Sequence, residues 1–325
     1  MDFSKFKKTQ EKVVKLIGNS YKKNRFVHTY LFEGAKGTPK LEAAYYLASV
    51  LMCESSDAPC GKCLSCQRIE NGSHPRIFLI KPIQDSIKKE QIDALEYEFS
   101  RIGLESGRRV FIIEGIDKAT LNASNSLLKF LEEMNDDCYG VLITEAIQNV
   151  LPTIISRSQV VSFAKIPMEE LIEEYKNKGV LDETSKVLAT LTNDVSEGLE
   201  LIKDGKVLDI IDLVKKCNES IILNENPFLT FYENSRFLFE ENDKTYHQMF
   251  LDILITITND RIYKILGQDD KIIFSSELEK INDKVELDYK KTFEQLEKIL
   301  EFKTRLKYNI SLETMYMQMF IEIMR

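Results

Sequence analysis

The chain has 325 residues, of which 43% are hydrophobic and 30% charged, and its formal charge at pH 7 is -8. That balance excludes the disordered, fibrous and membrane-embedded classes, and the length allows two or three domains, each with its own core. The negative charge argues against a chain whose main task is to neutralise a phosphate backbone.

The segment Met1 to Lys8 mixes Asp2, Lys5, Lys7 and Lys8 with only two aromatics, so it lacks the apolar core of a signal peptide. No uncharged apolar stretch is long enough to span a bilayer, and the expectation is a cytoplasmic protein that does not engage a membrane. The basic clusters Lys22-Lys23-Asn24-Arg25 and Arg108-Arg109 are short and read as solvated surface.

Short β-branched and aromatic runs predict strands at Val27-Phe32, Arg76-Ile80, Val110-Ile113, Tyr139-Thr144 and Val160-Phe163. Helical spacing predicts helices near Pro39-Met52, Lys88-Ile102 and Lys118-Met134, with Asp117 as the N-cap of the last. Strand and helix therefore alternate, as a parallel α/β sheet requires. From Pro167 to about Lys206 the pattern is a small helical region broken at Gly179 and near Asn193. Twelve of the thirteen glycines and six of the seven prolines precede Leu208, so the last third is free to be almost wholly helical. There, Phe250 to Ile265 and Leu287 to Leu306 carry the spacing of packed amphipathic helices.

After the first predicted strand comes Gly34-Ala35-Lys36-Gly37-Thr38-Pro39-Lys40-Leu41, the place and outline of a phosphate-binding loop. A working loop reads G-x-x-x-x-G-K-[ST], with a lysine for the terminal phosphates and a hydroxyl for magnesium. Lys40 is present, but Pro39 replaces the glycine and removes an N-H donor, and Leu41 replaces the magnesium-binding hydroxyl. The third predicted strand ends in Glu114-Gly115, where an active ATPase places a second carboxylate to orient water. Glycine cannot polarise water; Glu114 is left with two readings, metal binding or capping.

Cys53, Cys60, Cys63 and Cys66 form C-x6-C-x2-C-x2-C, four cysteines within fourteen residues. Four unrelated thiols, disulfides and a metal site are the three readings. A cytosolic setting disfavours disulfides, and such tight clustering favours a structural zinc held by four sulfurs, with no coordination position left for water. Cys138 and Cys217 stand alone and read as ordinary half-buried residues, and the three histidines are too dispersed for a second metal site.

Taken together, several segments resemble the clamp-loader branch of the AAA+ ATPases: His28-Thr29-Tyr30-Leu31-Phe32-Glu33-Gly34, the four-cysteine insertion and Ser86 to Ile92. Asn125 to Glu133 and Leu151-Pro152-Thr153-Ile154-Ile155-Ser156-Arg157-Ser158 continue the match, which covers roughly the first two-thirds of the chain. The resemblance implies a RecA-like AAA+ domain with a parallel sheet and a zinc-binding insertion over 1–165. It further implies a small helical lid domain over 166–206 and a C-terminal helical collar domain over 207–325. In that family a Ser-Arg-Cys segment supplies an arginine finger to ATP on a neighbouring subunit. Ser156 and Arg157 match, while Ser158 departs from the cysteine. From residue type alone a structural salt bridge is the favoured reading of Arg157; the surrounding segment reverses it toward a finger. The stretch Asn193 to Leu199 aligns with the lid motif that carries a phosphate-sensing arginine in active relatives, and the corresponding position here is Glu197.

The resemblance thus implies a clamp-loader subunit without ATPase activity or ATP binding of its own. Its partners would be gamma/tau and delta subunits, and through the assembly the sliding clamp and primer-template DNA. Two alternatives stand beside this reading. One is an active gamma/tau-like ATPase, supported by Lys40; the other is a zinc-dependent DNA-binding protein, supported by the cysteines alone.

Overall fold

The computed structural model describes residues 3–101, 107–203, 205–240, 244–282, 287–306, 308 and 311–325. The chain divides into two compact units between Ile166 and Pro167. In the first, α1 (Ser4–Thr9), α2 (Glu11–Lys22), β1 (Thr29–Glu33), α3 (Lys40–Met52), α4 (Leu64–Glu70), β2 (Ile77–Ile80) and α5 (Lys89–Arg101) follow in order. They are succeeded by β3 (Arg109–Glu114), α6 (Leu121–Glu133), β4 (Cys138–Thr144), α7 (Pro152–Ser156) and β5 (Gln159–Ser162). All five expected strands are present. Ile102, the expected end of the helix that forms α5, lies outside the described residues.

The strands form one sheet in the order β2-β3-β4-β1-β5, and every pairing is parallel. Side chains alternate across it as a strand's period of two demands. Tyr30, Phe32, Val110, Ile112, Val141 and Ile143 pack on one face with α1 to α4, and Leu31, Phe111, Ile113 and Leu142 pack on the other with α5 and α6. Both faces are covered, which is why these strands read as continuous apolar runs. Helix α3 is buried on nearly every side.

Two local expectations are corrected. Asp117 does not cap the helix after β3: a short 3-10 turn over Ile116–Lys118 intervenes, and Thr120 is the N-cap of α6, accepting from the Ala123 N-H at 3.2 Å. Arg108-Arg109 is not solvated surface either. Arg109 is buried and donates to the Phe99 carbonyl at 2.6 Å, and Arg108 donates to the Leu51 carbonyl at 2.9 Å. Successive residues entering a strand point to opposite faces, so a two-residue basic cluster at the start of β3 is not one patch. Lys22 to Arg25, by contrast, is exposed. Cys138 and Cys217 are fully buried rather than half-buried.

The second unit is helical throughout its described residues: α8 (Met168–Asn177), α9 (Asp182–Leu191), α10 (Val195–Lys203), α11 (Lys206–Ile222) and α12 (Pro227–Asn234). Then come α13 (Lys244–Ile265), α14 (Ser275–Asn282), α15 (Tyr289–Arg305) and α16 (Leu312–Met324). The long helix α13 is buried through Phe250, Leu251, Ile253, Leu254 and Ile257. Phe231 anchors an aromatic cluster against Phe250, Tyr316 and Phe320, with ring centroids 4.4 to 5.5 Å apart. No helix among the described residues is long and apolar enough to cross a membrane.

Helix α13 also carries the buried Asp260, whose carboxylate accepts from the N-H groups of Ile273 at 3.1 Å and Phe274 at 2.7 Å. Burial pushes its pKa up to about 6, against the lowering effect of those two N-H groups and of Lys186. A carboxyl whose folded pKa lies above its unfolded value holds its proton more tightly in the folded chain. Its contribution therefore favours folding near pH 4 and is lost as pH rises through about 6. Asp260→Asn keeps the acceptor and removes the ionisation. It is expected to stabilise the chain by about 1 to 3 kcal/mol at pH 8 and to be near neutral at pH 4, measured as urea midpoints against pH. An equal effect at both pH values would reject the assignment.

Candidate functional site

Parallel strands place the carboxyl ends of β1, β3 and β4 together, since Glu33 pairs with Thr144 and Glu114 with Ile143. The edge where strand order switches is where open α/β sheets bind ligands. Here it gathers the Gly34 to Pro39 loop, Glu114, Gly115, Asp117, Thr144 and Glu145.

The loop is closed on itself. Lys40 is 4% exposed and its Nζ donates to the Gly34 carbonyl at 2.8 Å, the Ala35 carbonyl at 2.7 Å and Thr38 Oγ1 at 2.9 Å. An ammonium has three donors, so none is left over for a phosphate in this geometry. Burial lowers the Lys40 pKa, opposed by the carboxylates of Glu145, Asp117, Glu114 and Glu42. Thr38 Oγ1 donates to the Ala35 carbonyl at 2.7 Å, and the Lys40 N-H to the Thr38 carbonyl at 2.7 Å. Pro39 contributes no N-H, and Leu41 packs against the core rather than presenting a polar group. The loop can pass this closely only because residue 34 is glycine: a Cβ there would lie 2.9 Å from Phe163 Cβ.

The neighbouring carboxylates are engaged. Glu114 Oε2 lies 3.0 Å from Lys81 Nζ, and Asp117 Oδ1 accepts from Thr144 Oγ1 at 2.9 Å and from the Glu145 N-H at 3.4 Å. Thr144, fully buried, also accepts the Gly34 N-H through its carbonyl at 3.3 Å, so it joins β4 to the loop and to the turn after β3. Sequence reasoning missed this threonine; a lone hydroxyl at a strand end carries no distinctive signal. Gly115 has φ 73°, in the left-handed region, and a Cβ on it would meet Pro82 Cγ at 3.1 Å. The missing carboxylate thus coincides with a backbone that favours no side chain.

Arg157 lies elsewhere. It follows α7 and precedes β5, whose first residue Gln159 pairs with Tyr30 near the start of β1. The guanidinium is therefore at the amino edge of the sheet, separated from the loop by the length of a strand, roughly 13 Å. It is 42% exposed, and its Nη2 meets Glu132 Oε1 at 2.5 Å, an ion pair with solvent access. Glu197 accepts from Thr192 Oγ1 at 2.6 Å in the first turn of α10, where Asp194 accepts the Ser196 N-H at 2.9 Å. Both are helix-end interactions.

The four cysteines converge between α3 and α4. Cys53 ends α3, Cys63 is the N-cap of α4 and Cys66 lies in its first turn. Their sulfurs all lie within 4.8 Å of one another, with Cys63 to Cys53 at 4.0 Å. A tetrahedron of sulfurs about 2.3 Å from one ion has edges of about 3.8 Å, so the cluster fits such an ion. N-H groups of Lys62 and Cys63 point at Cys60 Sγ and bring its pKa down to about 6. The Cys66 N-H lowers Cys63, whereas burial raises Cys53 and pushes Cys66 up to about 12. Four sulfurs could hold a metal ion here, and a dication would offset the charge of the more buried pair.

A family model described as DNA polymerase III, delta subunit, matches residues 9–167. DNA polymerase III subunit delta' of Bacillus subtilis is 38% identical over 306 residues, covering 94% of this chain and 93% of that one. DNA polymerase III subunit tau of the same organism is 29% identical over 217 residues, 64% of this chain and 36% of its own length. Among solved structures, a DNA polymerase III gamma subunit-related protein of Thermotoga maritima is 17% identical, covers 96% of this chain and 98% of that one, and has a TM-score of 0.39.

Gly115→Glu, which writes back the missing carboxylate, is expected to destabilise the chain by at least about 1 to 2 kcal/mol because of the left-handed backbone. Denaturant unfolding at 25 °C checks this, and an unchanged midpoint would show that the turn relaxes freely.

Proposed function

The chain belongs to the family of the delta' subunit of DNA polymerase III, and from that membership we propose that it is a cytoplasmic, non-hydrolysing clamp-loader subunit. In this reading it binds no ATP of its own and presents Arg157 to ATP on an adjacent gamma/tau subunit. Its further partners are the delta subunit and, through the assembly, the sliding clamp and primer-template DNA.

The observation that carries the reading is the separation of Arg157 from the loop after β1. A residue at the amino edge of the sheet is far from a phosphate at the carboxyl edge of the same sheet, which supports reading its phosphate as one held by another chain. Arginine suits the task because its planar fork pairs with phosphate oxygens and keeps its charge. Its pair with Glu132 is solvent-exposed, and such a pair is given up at little cost. Within this chain the closed Lys40 loop, the apolar Leu41 and the left-handed Gly115 support the lack of turnover. The higher identity and fuller coverage of the delta' relative than of tau favour this over an active gamma/tau-like ATPase.

The four cysteines are read as ligands of one structural zinc. Four sulfur ligands fill a tetrahedron, so the ion supplies folding energy and no reactive water. Cys53 and Cys66 tie the ends of α3 and α4, and Cys60 and Cys63 fix the loop between them.

Arg157→Ala is expected to lower the ATPase rate of a reconstituted loader several-fold while leaving the stability of the isolated chain within about 0.5 kcal/mol, as for a surface position. Full loader activity with the variant would reject the finger role. Turnover of magnesium-ATP by the isolated chain would reject the non-hydrolysing role. Elemental analysis is expected to find about one zinc per chain. Its removal by chelator should lower the thermal midpoint, and Cys63→Ser should lose the metal; a metal-free chain of unchanged stability would contradict the site.

A further inference from the structure

The helical second unit contains a buried positive charge with no negative partner among the described residues. Arg261 on α13 is 2% exposed; its Nη1 donates to Gln295 Oε1 at 3.1 Å and its Nη2 to Thr258 Oγ1 at 3.3 Å. Both partners are neutral, and Nε is buried without any acceptor. No carboxylate among the described residues lies within ion-pair distance of it. Leaving a guanidinium in a protein interior without a counter-charge is costly, and proteins pair or neutralise such groups. Burial lowers its pKa to about 10, still well above neutral pH, so the charge remains.

Arg261 lines a cavity of about 80 Å³ with Ile221, Ile222, Asp288, Lys291, Thr292 and Gln295. The volume matches two or three waters, far below the space a nucleotide or other drug-sized ligand requires. Lys291 brings a second cation to the cavity. The one carboxylate among the lining residues, Asp288, accepts through Oδ1 from the N-H groups of Lys290 at 2.8 Å and Lys291 at 3.4 Å, where it caps α15. A second orphan stands nearby in the helix register. Asn218 on α11 is 1% exposed, and both its amide oxygen and its amide nitrogen lack partners. It precedes Ile221 and Ile222 by three and four residues, on the same helix face.

We propose that this cavity between α11, α13 and α15 is a binding site for a small tetrahedral oxyanion of the phosphate class, held by Arg261 and Lys291. Nothing in the proposed role in a clamp loader requires such a site. A bound oxyanion supplies the acceptor that Nε lacks and offsets the charge, which a water molecule does not.

The test is calorimetric titration of inorganic phosphate into the full chain at constant ionic strength. One saturable site is expected, displaced by sulfate and not by equal chloride. Lys291→Gln, at an exposed position, should weaken it about 5- to 10-fold, a loss in keeping with one charge-assisted contact. Arg261→Met should abolish it, with circular dichroism reporting whether that variant is folded. If it is not, the Lys291→Gln weakening decides. Absence of saturable binding, indifference to Lys291→Gln, or equal displacement by chloride would each overturn the proposal.

Discussion

Three hydrogen bonds from one buried ammonium organise the carboxyl edge of the sheet. Lys40 Nζ draws the Gly34 and Ala35 carbonyls and the Thr38 hydroxyl inward, and so sets the path between β1 and α3. A loop that cradles phosphate turns its N-H groups toward the centre; here a cation takes the centre and carbonyls surround it. The rest of the edge follows in register. Gly34 docks on Thr144, Thr144 on Asp117, and Asp117 fixes the turn after β3. Without the ammonium, the Gly34 carbonyl would lose this donor in a partly buried setting while the Ala35 carbonyl keeps Thr38, and the loss carries a cost whether or not nucleotide ever binds. Retention of a lysine at this position therefore says nothing by itself in favour of ATP.

A parallel sheet has two unlike edges, and this chain uses them differently. At the carboxyl edge, charges are paired internally: Lys40 with the loop, Glu114 with Lys81, Asp117 with Thr144. At the amino edge, Arg157 meets only Glu132 and the Thr153 carbonyl, with solvent alongside. The direction of β5 separates the two, because a residue just before that strand starts at the end where β1 starts. Inward satisfaction at one edge and an exposed guanidinium at the other follow from strand polarity together with these few side chains.

Much of this was legible in the residues. Alternating strand and helix patterns fixed all five strands to within about two residues, and the breaks at Gly179 and Asn193 located α8, α9 and α10. The cysteine spacing brought its four sulfurs together as tight C-x2-C pairs do. What was not legible depends on contacts between distant segments. Asp117 looks like an N-cap from its neighbours alone, but the 3-10 turn displaces the helix start to Leu121 and frees the carboxylate for Thr144. Arg108 and Arg109 look like surface until the strand sends them to opposite faces. The unpaired burial of Arg261 has no sequence signature, since a helix face reveals which residues turn inward and not which charges meet there.

The departures from an ATPase pattern have also become parts of the fold, which makes them more than absences. Leu41 packs against the core beside α3, where a hydroxyl would forfeit apolar burial. Gly115 adopts a left-handed backbone against Pro82, so a glutamate there is strained before any chemistry is asked of it. Lys40 spends its donors on its own loop. A nucleotide site of the working pattern would require a hydroxyl at 41, a carboxylate at 115 and an open loop together. Such a site holds magnesium, water and phosphate at once, so no single one of these changes would complete it. The edge is therefore held by packing and backbone geometry, and the guanidinium of Arg157, paired with Glu132 at the opposite edge, takes part in none of these contacts.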